Sequence, residues 1–272
     1  MAEPAFTLYR EALGFAPPAR PAGRWRAALG ACLRAAGGLL YPAHCMACGE
    51  PQRDGNGALC ETCARRVPWI GSDRCRRCGA GVGAGRGLVE SCPECRDRPP
   101  VFVEQSCAVA QYDEPLRAVI LGLKFGNGVQ AIPVLARLLA ARMRAVALLE
   151  GLAAPAALVP VPLYTADRAR RGFNQAEEIA RRAGFVAGLP VEPRLLRKIR
   201  RTRPQALLRA EERAENLRGS FAVPPAVARP FGTGSVVLVD DVMTTGATVS
   251  ECARTLHQAG IRQIRVAVLA RD

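Results

Sequence analysis

Two acids and three threonines crowd one stretch, Val236-Val-Leu-Val-Asp-Asp-Val-Met-Thr-Thr-Gly-Ala-Thr-Val249. Asp240 and Asp241 offer acceptor oxygens suited to sugar hydroxyls, and Thr244, Thr245 and Thr248 offer hydroxyl donors suited to phosphate. Gly246 lets the backbone come close to an anion, and Val242, Met243 and Ala247 complete the run. Together these groups have the chemistry of a site for a phosphorylated sugar. A second chemistry stands earlier, in four Cys-x-x-Cys pairs: Cys45/Cys48, Cys60/Cys63, Cys75/Cys78 and Cys92/Cys95. That spacing is metal spacing, and eight thiolates suit two tetrahedral structural zinc ions.

The first set of groups works only where a strand enters a loop that opens a helix. Val236 to Val239 reads as a strand buried on both faces, ending where the acids begin. From Ala247 the pattern turns helical, with Val249, Cys252, Ala253 and Leu256 on one face. Free N–H groups and the positive end of the dipole at such a helix start attract phosphate. An apolar strand ending in two acids also serves as the Walker B strand of P-loop NTPases. That assignment needs G-x-x-x-x-G-K-[ST] upstream, and neither lysine of the chain, Lys124 or Lys198, has those glycines. A strand, loop and helix with no ligand is the other alternative, for which packing gives no reason to gather hydroxyls and acids so densely.

The Cys-rich segment needs its metal. Cys48 and Cys78 are each followed by glycine, which takes the left-handed turn that frees N–H groups toward sulfur. The segment is poor in large apolar residues, so metal supplies much of its folding energy. Sequential sharing, Cys45/Cys48/Cys60/Cys63 and Cys75/Cys78/Cys92/Cys95, is the simplest pairing, and a cross-braced one is the alternative. Redox dithiol chemistry fits less well, since no thioredoxin-like pattern surrounds the pairs. Cys107 and Cys252 lie outside the array and read as core residues.

At 272 residues the chain predicts two domains. A net charge of +14 points to a polyanionic partner or a phosphorylated substrate. Fourteen basic against six acidic residues, a net of +8, fall within 168–218. No secretory signal or membrane-length apolar run stands out, so the reading is a soluble, cytoplasmic protein without membrane insertion. Trp25 to Leu40 reads as a helix packed on the next domain. Further along, strands are expected over 106–112, 157–161 and 264–269, and helices over 115–125, 132–149 and 206–217. The loop 162–172 carries Arg168, Arg170 and Arg171 at the carboxyl edge of the sheet. Lys198 and Arg203 belong to a basic arm over 194–218 that would act as a lid beside the phosphate site. Arg168, Arg170, Arg171, Lys198 and Arg203 are therefore the candidates for binding diphosphate.

The stretch from Val236 to Thr248 resembles the phosphoribosyl-pyrophosphate (PRPP) motif of the type I phosphoribosyltransferases. In that family the two acids hold the ribose hydroxyls and the loop cradles the 5′-phosphate. The chain as a whole resembles the ComF family. The residues that carry this likeness are Leu40-Tyr-Pro-Ala-His-Cys45, Tyr112, Leu116-Arg117, Leu123-Lys-Phe125 and Val159-Pro-Val-Pro162. Arg171-Gly-Phe-Asn-Gln175, Arg203-Pro-Gln205, Asn216 with Gly219 and Phe221, and Asp240 to Thr248 complete it. The resemblance implies an N-terminal segment with a helix (1–44), a double zinc ribbon (45–98) and a parallel-sheet α/β phosphoribosyltransferase-like domain (106–272). It also implies a part in handling single-stranded DNA during natural transformation, with a competence helicase as a partner. Two readings follow: a glycosyltransferase acting on PRPP with Mg2+, or a non-catalytic protein binding single-stranded DNA or a nucleotide. In the first, Asp240 and Asp241 hold the ribose and stabilise positive charge as diphosphate leaves.

Overall fold

A computed structural model describes residues 3–10, 12–15, 43–52, 58–124, 128–203 and 208–272. The helix expected over Trp25 to Leu40 lies outside these residues, as do Phe125, Pro204 and Gln205. An N-terminal helix that periodicity did not single out, α1 (Glu3–Arg10), buries Phe6 and Tyr9, and the Tyr9 ring lies 4.6 Å from that of Trp69.

The Cys-rich region is built from pieces too short to fold alone. β1 (Ala43–His44) pairs with β2 (Pro51–Gln52) and is followed by α2 (Glu61–Arg66). β3 (Arg74–Cys75) then pairs with β4 (Leu88–Val89), followed by α3 (Pro93–Asp97). The region is not hung on a linker. Its chain lies along the outer edge of β5 (Gln105–Gln111): Ile70 N–H donates to Val109, Gln111 N–H to Pro68 and Ser106 N–H to Arg76. A strand edge that would otherwise expose unpaired amides is thereby covered. Gly79 makes the approach possible. Its φ is +76°, and an added Cβ would stand 2.9 Å from the amide nitrogen of Ala108.

Next come α4 (Leu116–Lys124), a 3₁₀ turn over Val129–Ala131, and α5 (Ile132–Ala145). β6 (Ala156–Pro160) leads into α6 (Thr165–Arg171) and α7 (Gln175–Ala187). The segment expected as a plain loop over 162–172 therefore holds a helix; its Gly172, at φ +81°, ends that helix in the left-handed turn glycine favours. β7 (Arg197–Lys198) pairs antiparallel with β8 (Phe221–Ala222), α8 (Ala210–Leu217) lying between them. A short α9 (Pro225–Ala228) precedes β9 (Ser235–Met243), α10 (Ala247–Gln258) and β10 (Gln263–Arg271).

The central sheet runs β5-β10-β9-β6, all parallel. Its inner strands are valine-rich because both faces are covered. Val237 and Val239 join the core beneath α5 and α7, while Val236 and Leu238 join the core beneath Val249, Cys252 and Leu256 of α10. β9 runs four residues beyond the expected Val239. β10 stays in register with it as far as Met243, whereas β6 stops opposite Val239. From Asp240 onward β9 thus has a neighbour on one side only, and that free edge is where the site opens.

Candidate functional site

β9 and the start of α10 bring every residue from Asp240 to Thr248 to the wall of one cavity of about 460 Å³. Gly246, at φ +76°, is the N-cap of α10, so the helix start and its free N–H groups face the loop. Thr245 Oγ1 is buried with no hydrogen-bond partner. A buried hydroxyl without a partner is costly, and here it stands one residue before the N-cap of α10. Thr244 Oγ1 accepts a hydrogen bond from Arg213 Nη1 at 3.2 Å.

The acids are held tightly. Asp240 Oδ1 accepts the amide N–H of Asp241 at 2.9 Å, and Asp241 Oδ1 accepts that of Val242 at 2.7 Å. Asp241 Oδ2 pairs with Lys124 Nζ at 3.3 Å, from the last residue of α4. Burial, and then the charge of Asp241, push the Asp240 carboxyl up to about 8. The unfolded residue ionises near pH 4, so between about pH 4 and 8 the native state carries the extra proton and stability falls as pH rises. Asp240→Asn removes this cost. Because the cleft is open to water, about 1 kcal/mol of it is expected to appear, a rise in Tm of roughly 2–4 °C at pH 8.5. The gap should close near pH 4, and calorimetric melts at both pH values check it; a Tm lowered at pH 8.5 would refute it.

The expected diphosphate residues are distributed differently. β6 and β9 are neighbours, so the segment after β6 does reach the carboxyl edge beside Asp240. Its arginines are engaged with acids and an amide: Arg168 with the buried Glu177 at 3.3 Å, Arg170 with Asp167 at 3.6 Å, and Arg171 with Gln175 Oε1 at 3.5 Å. Lys198 is half-buried, lowered by burial and within electrostatic reach of Asp240; its Nζ donates to Thr202 Oγ1 at 2.9 Å. The basic arm is anchored over its described part. Arg200 donates to the carbonyls of Asn216 and Arg218, and the Arg203 backbone exchanges two hydrogen bonds with the Asn216 side chain. None of these five cations lines the 460 Å³ cavity.

Residues 169–272 match the family described as phosphoribosyl transferase domain, and residues 36–96 match the double zinc ribbon domain. The chain is 30% identical over 228 residues to Competence protein F of Haemophilus influenzae, covering 84% of this chain and 96% of that one. It is 31% identical over 233 residues to DNA utilization protein YhgH of Salmonella typhi, covering 86% and 99%. This chain belongs to the ComF family. Competence protein ComFC of Streptococcus pneumoniae, 25% identical over 221 residues, covers 80% of this chain and 90% of its own.

As the family's zinc ribbon requires, the ComF chain gathers eight of its eleven cysteines into two clusters, Cys45/Cys48/Cys60/Cys63 and Cys75/Cys78/Cys92/Cys95. This is the sequential pairing. Sulfurs 3.7–4.0 Å apart, as between Cys48 and Cys60, Cys78 and Cys92, and Cys75 and Cys95, match the edges of a tetrahedron built on Zn–S bonds of about 2.3 Å. Amides of Cys60, Cys63 and Cys92 point at sulfur at 3.3–3.4 Å, as knuckle turns need.

Sequence reasoning missed four groups on the cavity wall of this ComF chain: Tyr112, Lys124, Arg213 and Asp272. One signal was present. Of thirty-eight lysines and arginines only two are lysine, and both stand near the acid pair. The Phe-Asn-Gln segment turns out to support them. Asn174 Nδ2 donates to Val161 O at 3.0 Å and Gln175 Nε2 to Leu123 O at 3.3 Å, tying the end of β6 to the end of α4 beside Lys124. Arg271 does the same from the zinc side: it pairs with Glu94 of α3 at 2.6 Å and donates to Met243 O at 3.4 Å.

Among the described residues, no helix is long and apolar enough to cross a membrane.

Proposed function

We propose that the cleft binds the ribose 5-phosphate part of PRPP, or of a nucleotide, together with Mg2+, and that this ComF-family protein acts in the use of incoming DNA. The observation that carries the reading is the orphaned Thr245 hydroxyl beside the α10 N-terminus, next to two carboxylates held by the same strand. Phosphate would take the hydroxyl and the helix-start amides, and the ribose hydroxyls would take Asp240 and Asp241. Mg2+, a hard cation that keeps oxygen ligands, would neutralise diphosphate charge when bound. Asp240 and Asp241 then stand where positive charge develops at the ribose as diphosphate leaves, and Lys124 and Arg213 balance the anionic groups. The reading of a glycosyltransferase acting on PRPP rests on this arrangement. Calorimetric titration with PRPP and Mg2+ tests it, and the absence of binding at millimolar ligand would end it.

The concentration of positive charge over 168–218 supports a second property, binding of single-stranded DNA through its backbone. Arg197 and Arg201 are exposed, whereas Lys198 and Arg200 hold the local structure. Replacing Arg197 and Arg201 by alanine should weaken oligonucleotide binding and lower the salt slope by about one to two. An unchanged slope would move the contact off this arm. The DNA-related names of the relatives bring the functional context, and a helicase would be the partner that delivers the strand.

A further inference from the structure

We propose that the cavity between the zinc ribbon and the edge of the sheet is a second anion site, which takes the terminal phosphate of a small phosphomonoester and lays its apolar body against Trp69 and Leu88. This cavity measures about 760 Å³ and is distinct from the Asp240 cleft. Two arginines from different elements line it: Arg74 from β3 and Arg142 from α5. They are 5% and 2% exposed. Burying a charge is unfavourable unless something of opposite sign meets it. Among the described residues the acceptors are neutral: Arg142 Nη2 donates to Gly71 O at 3.0 Å, with the buried Tyr9 hydroxyl also beside this guanidinium, and Arg74 Nη1 donates to Ser106 O at 3.5 Å. Arg142 Nε is buried and has no partner at all.

Among the described residues no acid forms an ion pair with either guanidinium. Arg74 and Arg142 line the same cavity, so their like charges repel. Cys107, close to both, is pushed up to about 11 by burial and stays a neutral thiol. Asp73 also lines the cavity and carries one negative charge, but its Oδ1 is turned to the Gly87 amide at 2.6 Å and, among the described residues, it forms no ion pair with either guanidinium. Arg74 precedes the zinc ligand Cys75, yet successive strand residues face opposite ways, so the thiolate turns to the metal and the guanidinium to the cavity. Two buried cations ask for a dianion, which a phosphomonoester is and a bridging phosphodiester is not. Their depth favours a terminal group that can enter over a strand that lies across a surface. Trp69, Ile70, Leu88 and Val146 give the walls an apolar character suited to a base or a comparable flat body.

Trp69 is the natural reporter, since the chain has only Trp25 besides it. In the full-length zinc-loaded protein carrying Trp25→Phe, Trp69 emission is titrated with AMP, with adenosine and inorganic phosphate as controls. AMP should give a saturable change, adenosine a response weaker by about tenfold or more, and inorganic phosphate one intermediate in affinity. Arg74→Gln should weaken AMP by about tenfold with zinc content and circular dichroism unchanged, and Arg142→Gln should do the same where it folds. The response should survive in Asp240→Asn/Asp241→Asn, which separates it from the first site. The proposal is overturned by no saturable change at millimolar AMP, by equal affinity for adenosine, or by unchanged affinity in Arg74→Gln. Loss of the response in the aspartate variant, or tighter binding of an oligonucleotide lacking a terminal phosphate, would overturn it as well.

Discussion

Replacing Asp240 and Asp241 together by asparagine is expected to cut affinity for Mg2+ and PRPP about a hundredfold or more while leaving the protein folded. Above about pH 8, where Asp240 is ionised as well as Asp241, each amide keeps one acceptor oxygen and loses the charge, and a charged hydrogen bond is worth roughly 1.5–3 kcal/mol, about tenfold or more per residue. The fold should survive because the strand's register is set by its backbone ladder to β10 and by Val236 to Val239, not by the acids. The raised carboxyl of Asp240 makes the single asparagine stabilising at alkaline pH. Calorimetry on the wild type and the double variant decides the point: equal affinities would mean the motif serves shape alone.

Loss of the second zinc site is expected to be the most damaging change to the structure. Cys78→Ser with Cys95→Ser should reduce bound zinc from two ions to one and unfold the ribbon around it. Structural zinc contributes on the order of 10–16 kcal/mol in isolated peptides, comparable with the whole net stability of a domain, about 5–15 kcal/mol. The damage should travel by two routes. The Cys75–Gly79 knuckle lies on β5, so its loss bares that edge strand and invites aggregation. Helix α3 carries Cys92 and Cys95 as well as Glu94, which holds Arg271 against Met243. PRPP affinity should therefore fall along with the ribbon. Metal analysis, thermal melting and light scattering on the variant check this, and a one-zinc protein with unchanged Tm would refute it.

That coupling gives the zinc ribbon a structural role at the site. A cavity of about 450 Å³ is lined by Thr244 and Thr245 together with Glu94 and Asp97 of α3. On the opposite flank, Met46 of the first knuckle packs on Gly122 and Gly128, with its Cε 2.4 Å and 2.7 Å from where a Cβ would stand. Lys124 lies between those glycines. The first knuckle thus presses on the segment that delivers Lys124 to Asp241, and the second is tied through Glu94 and Arg271 to Met243 at the end of β9.

The sequence by itself determined whatever local pattern can carry. Eight cysteines in Cys-x-x-Cys pairs required metal because the segment between them has too little apolar area to fold. Val236 to Thr248 required a strand, a loop and a helix start because the unbroken apolar run, Gly246 and the helical spacing after it agree on one local structure. The sequential zinc pairing was the simplest option, but only packing of the two knuckles on different partners decided it. The limit of β9 was misread for a physical reason: strand length past Val239 depends on whether β10 supplies hydrogen bonds, and that neighbour comes from the far end of the chain. The arginines after β6 were placed at the right edge of the sheet, yet their side chains turn to Glu177, Asp167 and Gln175, partners that charge counting cannot see. Lys124 reaches Asp241 across more than a hundred residues, and Arg142 meets Arg74 across the ribbon seam. Such contacts join elements with no shared periodicity, so only the tertiary structure could bring them together.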